Sequence, residues 1–175
     1  GEQHPGRPGK PRRRSLRVLP KIGSNLTLQA IEGSLPIGMP RSPYREQLQL
    51  LLRGEKKSCI LLVGPPGCGK TTLLYRLVQD LLELDDYESH RNLDAIHEVW
   101  QTSGKRIIAG MSYIGDWEKR CLDLVRDAAH AKRILYVEDV TAFALIAPSG
   151  ESERSRADFS HGPAARGDVL FVGEC

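Results

Sequence analysis

The 175-residue chain lacks any apolar stretch long enough to span a membrane, and its N-terminus lacks the apolar core of a signal peptide. A membrane-spanning helix needs about 20 such residues, so the sequence predicts no membrane partner. Cysteine is scarce as well, and the four cysteines form no C-x-x-C pair. They therefore predict reduced thiols in a cytoplasmic protein, not disulfide bonds or zinc ligands.

Acidic residues are almost missing from residues 1–21, although the whole chain has a net charge of only +3. This segment has seven basic residues against Glu2, four prolines and few apolar residues. The composition predicts a basic, proline-rich disordered arm or linker. Such an arm binds nucleic acid or acidic partners, or it is simply a solvated linker. No aromatic residues are interleaved for base stacking, so the linker is favoured and a nucleic-acid partner is disfavoured.

The clearest positive feature is the sequence GPPGCGKT at residues 64–71, which matches the pattern G-x-x-x-x-G-K-[ST] at every fixed position. Glycines in such a loop allow backbone N–H groups to turn inward around an anion, and the following helix adds the positive end of its dipole. Lys70 is then expected to reach the β and γ phosphates, and Thr71 to offer its hydroxyl to Mg²⁺. The motif predicts a nucleotide site.

The flanking residues support this interpretation. The apolar run at residues 58–63 predicts a strand buried on both faces, and the leucine-rich residues 71–84 predict a helix with a wide buried face. The alternative is an ordinary Gly/Pro turn in an α/β domain, but a strand before the loop and a helix after it favour the nucleotide site. The predicted nucleotide-binding residues are Gly64, Pro65, Pro66, Gly67, Cys68, Gly69, Lys70, Thr71 and Thr72.

Further strands and helices alternate along the chain, which predicts a parallel α/β sheet. Predicted helices occupy residues 22–33, where Gly33 is the C-cap, and residues 42–54 and 117–131; predicted strands occupy residues 96–101, 134–137 and 169–172. An extended connector is expected at residues 34–41 and a mobile loop at residues 148–162.

The predicted strand at residues 134–137 ends in the acidic pair Glu138 and Asp139. Mg²⁺ and an attacking water both need carboxylates beside the γ phosphate, so we interpret the pair as the partner of the phosphate loop. Glu138 and Asp139 are thus the candidates for the Mg²⁺ ligand, partly through water, and for the water-activating residue. The alternative is an acidic strand end that faces solvent.

Separate blocks of residues resemble the Clp family of AAA+ ATPases, specifically the first ATPase domain of the Clp unfoldases and disaggregases. These blocks are residues 23–33, 64–71, 113–120, 134–140 and 164–173. The resemblance implies a P-loop NTPase fold, the AAA+ large subdomain, with a parallel sheet sandwiched by helices over residues 22–175. We also expect the chain to be a piece of a longer protein that ends before the arginine finger and the C-terminal lid.

The resemblance further implies an ATPase that uses ATP and Mg²⁺ and couples hydrolysis to protein unfolding or remodelling. It implies a ring-forming homo-oligomer, a hexamer, that acts on unfolded polypeptide, and it leaves open a partner peptidase. Tyr113 matches the tyrosine of the family's substrate-gripping pore loop. Taken without the resemblance, an aromatic residue near a helix start is more often a core residue.

One departure from the family concerns the acidic pair, because the family order is Asp-Glu and this chain has Glu138 followed by Asp139. The reversal changes the length of each side chain, and a misplacement of about 1 Å can lower a rate about a hundredfold. We therefore expect weak hydrolysis from the catalytic set Lys70, Glu138 and Asp139, and we expect the family order to restore it. The alternatives are a hydrolysis-poor regulatory ring subunit and, from the basic arm alone, a P-loop ATPase that acts on nucleic acid.

Overall fold

The computed structural model describes residues 15–53, 59–130, 132–140 and 170–174, with the side chains of Cys59, Ile114 and residues 170–174 excluded. The helices are α1 (Leu19–Ile22), α2 (Leu26–Ile31), α3 (Tyr44–Arg53), α4 (Lys70–Leu84), α5 (Tyr87–His90), α6 (Gly104–Ile108) and α7 (Ile114–Ala128). The strands are β1 (Ser24–Asn25), β2 (Cys59–Leu62), β3 (Glu98–Ser103), β4 (Arg133–Glu138) and β5 (Leu170–Glu174). Among the described residues, no helix is long and apolar enough to cross a bilayer.

The strands form one sheet in the order β1-β3-β4-β5-β2. All neighbours pair in parallel except the two-residue β1, which pairs antiparallel with β3. The predicted parallel α/β sheet between helices is therefore confirmed. Because β2, β5 and β4 are parallel neighbours, the loop after β2 and the acidic pair after β4 emerge at the same edge of the sheet.

Helices α2, α3 and α4 cover one face of the sheet. The leucines of α4 recur at helical spacing, and Leu74, Leu77 and Val78 are almost completely buried. They pack with sheet residues such as Val99 and Tyr136 in a hydrophobic cluster, which we call the first cluster. Burial of a leucine-sized side chain stabilises a fold by about 1.5–3 kcal/mol, so this periodic face fixes α4 against the sheet. The helix predicted at residues 71–84 is thus confirmed.

Helices α1, α6 and α7 cover the opposite face. There Leu19, Ile107 and Leu124 pack against Trp100 and Leu135 in the second cluster. Helix α7 begins three residues earlier than the predicted span of residues 117–131, because Ile114 to Asp116 already form its first turn.

The prediction for the N-terminal region is wrong for residues 15–21. The sequence placed residues 1–21 in a disordered arm, but Leu19 is fully buried in α1. The carboxylate of Asp127 on α7 accepts hydrogen bonds from the backbone N–H groups of Arg17, Val18 and Leu19 at 2.8–3.0 Å. Residues from 15 onward therefore pack on the domain, and residues 1–14 lie outside the described residues.

Two predicted helices begin later than expected. The helix predicted from residue 22 is interrupted at Gly23, because Ser24 and Asn25 pair with β3; α2 then begins at Leu26, capped by the Asn25 side chain. Gly33, with φ +73°, follows α2 in the left-handed conformation expected after a helix end. For the helix predicted over residues 42–54, Ser42 was the expected N-cap and Pro43 the expected first helical residue; α3 begins one residue later, at Tyr44.

The strand β2 also differs from its prediction, since it is buried on one face only. Ile60 is 8% exposed in the first cluster, whereas Leu61 and Val63 are 54% and 75% exposed. β2 is the last strand in the described order, and among the described side chains the sheet residues of the second cluster belong to β3 and β4.

The candidate nucleotide-binding site

The predicted phosphate loop joins β2 to α4. Gly67 and Gly69 have φ values of +77° and +92°, in the left-handed region that favours glycine, and Gly69 directly precedes the first residue of α4. The loop is closed by a hydrogen bond of 3.2 Å from Cys68 N to Pro65 O. The N-terminus of a 15-residue helix therefore points into a glycine-shaped turn, which is the arrangement that binds phosphate.

Lys70 lies half-buried inside this loop. Its ammonium donates to the carbonyl oxygens of Gly64 at 2.8 Å and Pro65 at 3.2 Å, and it lies 3.9 Å from the Sγ atom of Cys68. The cation is thus held by neutral carbonyl oxygens, which a phosphate can displace because its oxygens carry negative charge and add an ion pair to the hydrogen bond.

The two threonines of the first turn of α4 differ in their contacts. Thr72 donates its hydroxyl to Gly69 O at 2.9 Å, so it stabilises the start of the helix. Thr71 lies half-buried beside Lys70 and is the threonine that the motif assigns to Mg²⁺.

Sequence reasoning missed Arg41, which lies on the connector before α3 and reaches the phosphate loop. Its Nη1 atom donates to the carbonyl of Cys68 and also lies beside Gly69. The connector runs along the start of α4, where Met39 N donates to Thr72 O at 3.2 Å, and a side chain at Gly38 would collide with the backbone of Arg76. A single arginine in an extended segment gives no sequence signal for this contact, because it depends on packing between distant segments.

The acidic pair ends β4. Glu138 is half-buried, and one of its oxygens, Oε1, accepts a hydrogen bond from the side-chain amide of Gln101 on β3. Asp139 is exposed and has φ +52°, in the left-handed region. The pair therefore does not simply end in solvent, since a neighbouring strand already holds Glu138.

The phosphate loop and the acidic pair are separated by a single strand. In the register of the sheet, Leu62 pairs with Glu174, and Val137 pairs with Gly173. Neighbouring strands lie about 4.8 Å apart, so β2 and β4 are about 10 Å apart, which leaves room for a phosphate and a cation between them. Sequence reasoning did not consider Glu174, whose backbone lies at the end of the intervening strand.

The oxygen donors at this edge suit Mg²⁺, which prefers hard oxygen ligands. They are the hydroxyl of Thr71 and the carboxylates of Glu138 and Asp139. Within the described part of the chain, no group of three or more His, Cys, Asp or Glu side chains could hold a metal ion. Proteins usually bind Mg²⁺ through one or two carboxylates together with substrate phosphates.

Tyr113 lies outside this cluster, at the N-terminus of α7, and is 79% exposed. A core role for Tyr113 is therefore wrong. The turn before it is braced by Arg120, which donates to the carbonyl oxygens of Ile107 at 3.0 Å and Ala109 at 2.9 Å. Ser112 N donates to the carboxylate of Asp116 at 3.4 Å, so a braced turn presents the aromatic ring to solvent.

Two of the four cysteines have described side chains, and both Cys68 and Cys121 are free thiols, as predicted. Burial raises the pKa of Cys121 to about 12, so this thiol stays protonated at neutral pH. Cys68 lies in the phosphate loop itself.

A profile of the ATPase family associated with various cellular activities (AAA) matches residues 60–161, which is more than half of the chain. The chain belongs to the AAA ATPase family. The match begins within β2 and includes the phosphate loop and the acidic pair. The family resemblance inferred from the sequence motifs is thereby confirmed.

Individual relatives point to the Clp branch of the family. The chain is 30% identical over 160 residues to "Chaperone protein ClpB" of Tropheryma whipplei, with 91% of this chain and 22% of that protein covered. It is 28% identical over 159 residues to an "ATP-dependent Clp protease ATP-binding subunit ClpA homolog" of Porphyra purpurea, with 89% and 18% covered. The chain thus spans about a fifth of the length of these relatives.

Solved structures confirm the fold. The S. cerevisiae Hsp104-ADP complex superimposes with a TM-score of 0.66 at 20% identity. The superposition covers 89% of this chain and 21% of the Hsp104 chain. A closed-state reconstruction of Hsp104 with ATPγS and FITC-casein gives a TM-score of 0.68 at 21% identity, with 90% and 26% covered. At this level of identity the likeness concerns the P-loop fold alone.

Proposed function

We propose that this chain is the ATP-binding module of a Clp-type chaperone, in which ATP binding and hydrolysis drive the unfolding or remodelling of other proteins. The observation that carries the proposal is the placement of Lys70 and the acidic pair at the same edge of the sheet, beyond the ends of β2 and β4, two strands that lie about 10 Å apart. Membership of the AAA family and the similarity to ClpB support it.

In this proposal the phosphates of ATP enter the loop and take over the ammonium of Lys70 from the carbonyl oxygens of Gly64 and Pro65. The backbone N–H groups of residues 67–72 would line the phosphates, whereas Pro65 and Pro66 have no N–H to donate. Bound Mg²⁺ would neutralise the negative charge that develops on the phosphates. Thr71 and Glu138 would hold that ion, partly through water, and Asp139 would orient the attacking water.

We further propose that the complete protein works as a cytoplasmic ring, a hexamer by family resemblance, in which Tyr113 grips unfolded polypeptide. The exposure of Tyr113 on a braced turn supports this role. One of the similar Hsp104 structures contains FITC-casein. A partner peptidase belongs to the same proposal, since one relative is named as the ATP-binding subunit of a Clp protease.

A second candidate is an ATP-binding but hydrolysis-poor regulatory subunit of such a ring. It is favoured by one observation, the order of Glu138 and Asp139, because the reversal changes the length of each carboxylate side chain relative to the family order. Nucleic-acid binding has no comparable support, because most of the basic residues that suggested it lie in residues 1–14, outside the described residues.

The phosphate-loop assignment is tested by replacing Lys70 with alanine. Lys70→Ala should abolish Mg-ATP binding, because it removes the cation that lies inside the loop. Titration calorimetry of the purified chain measures this directly. Lys105→Ala, at an exposed position on α6, is the matched control and should bind like the unchanged protein. Equal affinity for Lys70→Ala and the control would refute the assignment.

A further inference from the structure

The side chain of Gln101 is placed to act on the acidic pair from a neighbouring strand. Gln101 lies on β3, where it pairs in register with Tyr136, two residues before Glu138 on β4. Residues alternate between the two faces of a strand. Val99 packs in the first cluster and Trp100 in the second, so Gln101 belongs to the face covered by α4, the helix that begins at the phosphate loop.

The contact itself is a hydrogen bond from Nε2 of Gln101 to Oε1 of Glu138, between two half-buried side chains. The amide of Gln101 donates without carrying a charge. It can therefore fix the carboxylate without cancelling the negative charge that a cation requires. The bond occupies one oxygen of Glu138 and leaves Oε2 for another partner.

A glutamate needs such a partner more than an aspartate does, because it has one additional rotatable bond. A side chain of this kind loses rotamer freedom when it is fixed by a bound ion, and that loss weakens binding. A hydrogen bond made before the ligand arrives removes part of that cost from the binding step. Partners that orient metal-ligating carboxylates typically change metal affinity about 10- to 100-fold when they are mutated.

We propose that Gln101 is a positioning residue that holds Glu138 in the orientation in which it receives the Mg²⁺ of Mg-ATP. The proposal rests on the proposed function, since it assumes that ATP and Mg²⁺ bind at this edge of the sheet. It extends that function to a residue of β3 that lies outside both the phosphate loop and the acidic pair.

The test measures how much Mg²⁺ improves nucleotide binding. A fluorescent ATP analogue is titrated into the purified chain with Mg²⁺ and again with EDTA, and the ratio of the two affinities is the magnesium enhancement. Gln101→Met keeps the size of the side chain and removes the donor. It should lower the magnesium enhancement about tenfold and leave affinity in EDTA unchanged, because the phosphate loop is intact.

The control separates positioning from a general structural effect. If Gln101 acts through Glu138, then adding Gln101→Met to Glu138→Ala should change nothing further, whereas a structural effect would appear in both backgrounds. Gln101→Asn keeps the amide but shortens its reach, so it should give an intermediate loss. It supplies the same comparison if the methionine variant folds poorly.

The outcomes distinguish the two proposals. The role of Gln101 is overturned if Gln101→Met leaves the magnesium enhancement unaltered. It is also overturned if Gln101→Met lowers the enhancement equally with and without Glu138→Ala. Either result leaves the proposed function intact. If the unchanged chain binds nucleotide without any magnesium enhancement, the proposed site is wrong and the role of Gln101 falls with it.

Discussion

At the scale of single residues, the local structure accommodates the reversed order of the acidic pair. Asp139 has φ +52°, and aspartate adopts this left-handed conformation more readily than glutamate, because its short polar side chain can bond locally. Glu138 has the length that meets the amide of Gln101. Judged by side-chain length alone, both carboxylates would be misplaced. The backbone and the neighbouring strand instead accommodate each of them.

These contacts predict the result of exchanging the two residues in the full-length protein. The double change Glu138→Asp with Asp139→Glu should lower kcat about tenfold or more, because it shortens the side chain that Gln101 holds and puts glutamate in the left-handed position. This is the opposite of the gain expected from the family order. Affinity for ATP should stay nearly constant, since the phosphate loop supplies most ground-state contacts.

Steady-state ATPase assays and ATP titrations measure both quantities for this exchange. Glu118→Asp, an exposed change on α7, is the control for a shortened glutamate away from the site. A higher kcat in the exchanged protein would mean that the family geometry is still the better one here, and it would strengthen the case for a hydrolysis-poor subunit.

At the scale of elements, the link between α1 and α7 depends on one carboxylate. Asp127 is 4% exposed and accepts hydrogen bonds from three consecutive backbone N–H groups at the start of α1. Those N–H groups begin a helix, so they have no partner within it. Asp127 therefore acts as a capping residue supplied by another helix, more than 100 residues away in the chain.

Replacing this carboxylate should release the N-terminal segment. Asp127→Ala should lower the free energy of unfolding by about 1–3 kcal/mol, because buried N–H groups lose a charged acceptor. Hydrogen exchange should then increase at residues 15–22. Asp123→Ala, one turn earlier on α7, is the matched control, since its ion pairs with Arg17 and Arg126, at 3.4 and 3.5 Å, involve partly exposed arginines. Equal protection of residues 15–22 in both variants would contradict the capping role.

The same scale separates what the sequence could predict from what it could not. The phosphate loop and α4 were predictable because a fixed motif and a 3.6-residue period are local signals. The break before α2 was missed because Ser24 and Asn25 pair with Trp100 and Gln101, more than 70 residues away. The burial of α1 and the contacts of Arg41 are equally non-local. The exposure of Leu61 depends on strand order, which local periodicity does not specify.

At the scale of the whole molecule, the described groups would form one side of the proposed nucleotide site. Lys70 lies at the start of α4, and the side chain of Arg41 contacts the loop that precedes it. The acidic pair lies at the end of β4, and β5 separates that strand from β2. The chain spans about a fifth of the length of its ClpB and ClpA relatives. In the proposed ring, the rest of the protein and a neighbouring subunit complete the site.

This arrangement predicts that ATP binding and ATP hydrolysis separate in the 175-residue chain. The chain should bind Mg-ATP through its own loop but turn it over at least about a thousandfold more slowly than the full-length protein, because an arginine contributed by a neighbour is typically worth 10³ to 10⁵ in rate. Calorimetry and an ATPase assay on the same preparation measure the two properties. Raising the chain concentration should leave its specific activity almost unchanged, whereas the activity of the full-length protein should rise as its ring assembles. The opposite outcome is a short chain that turns over ATP at the full-length rate, independently of its concentration. Lys70, Glu138 and Asp139 would then suffice within one subunit, and the ring would be unnecessary for hydrolysis.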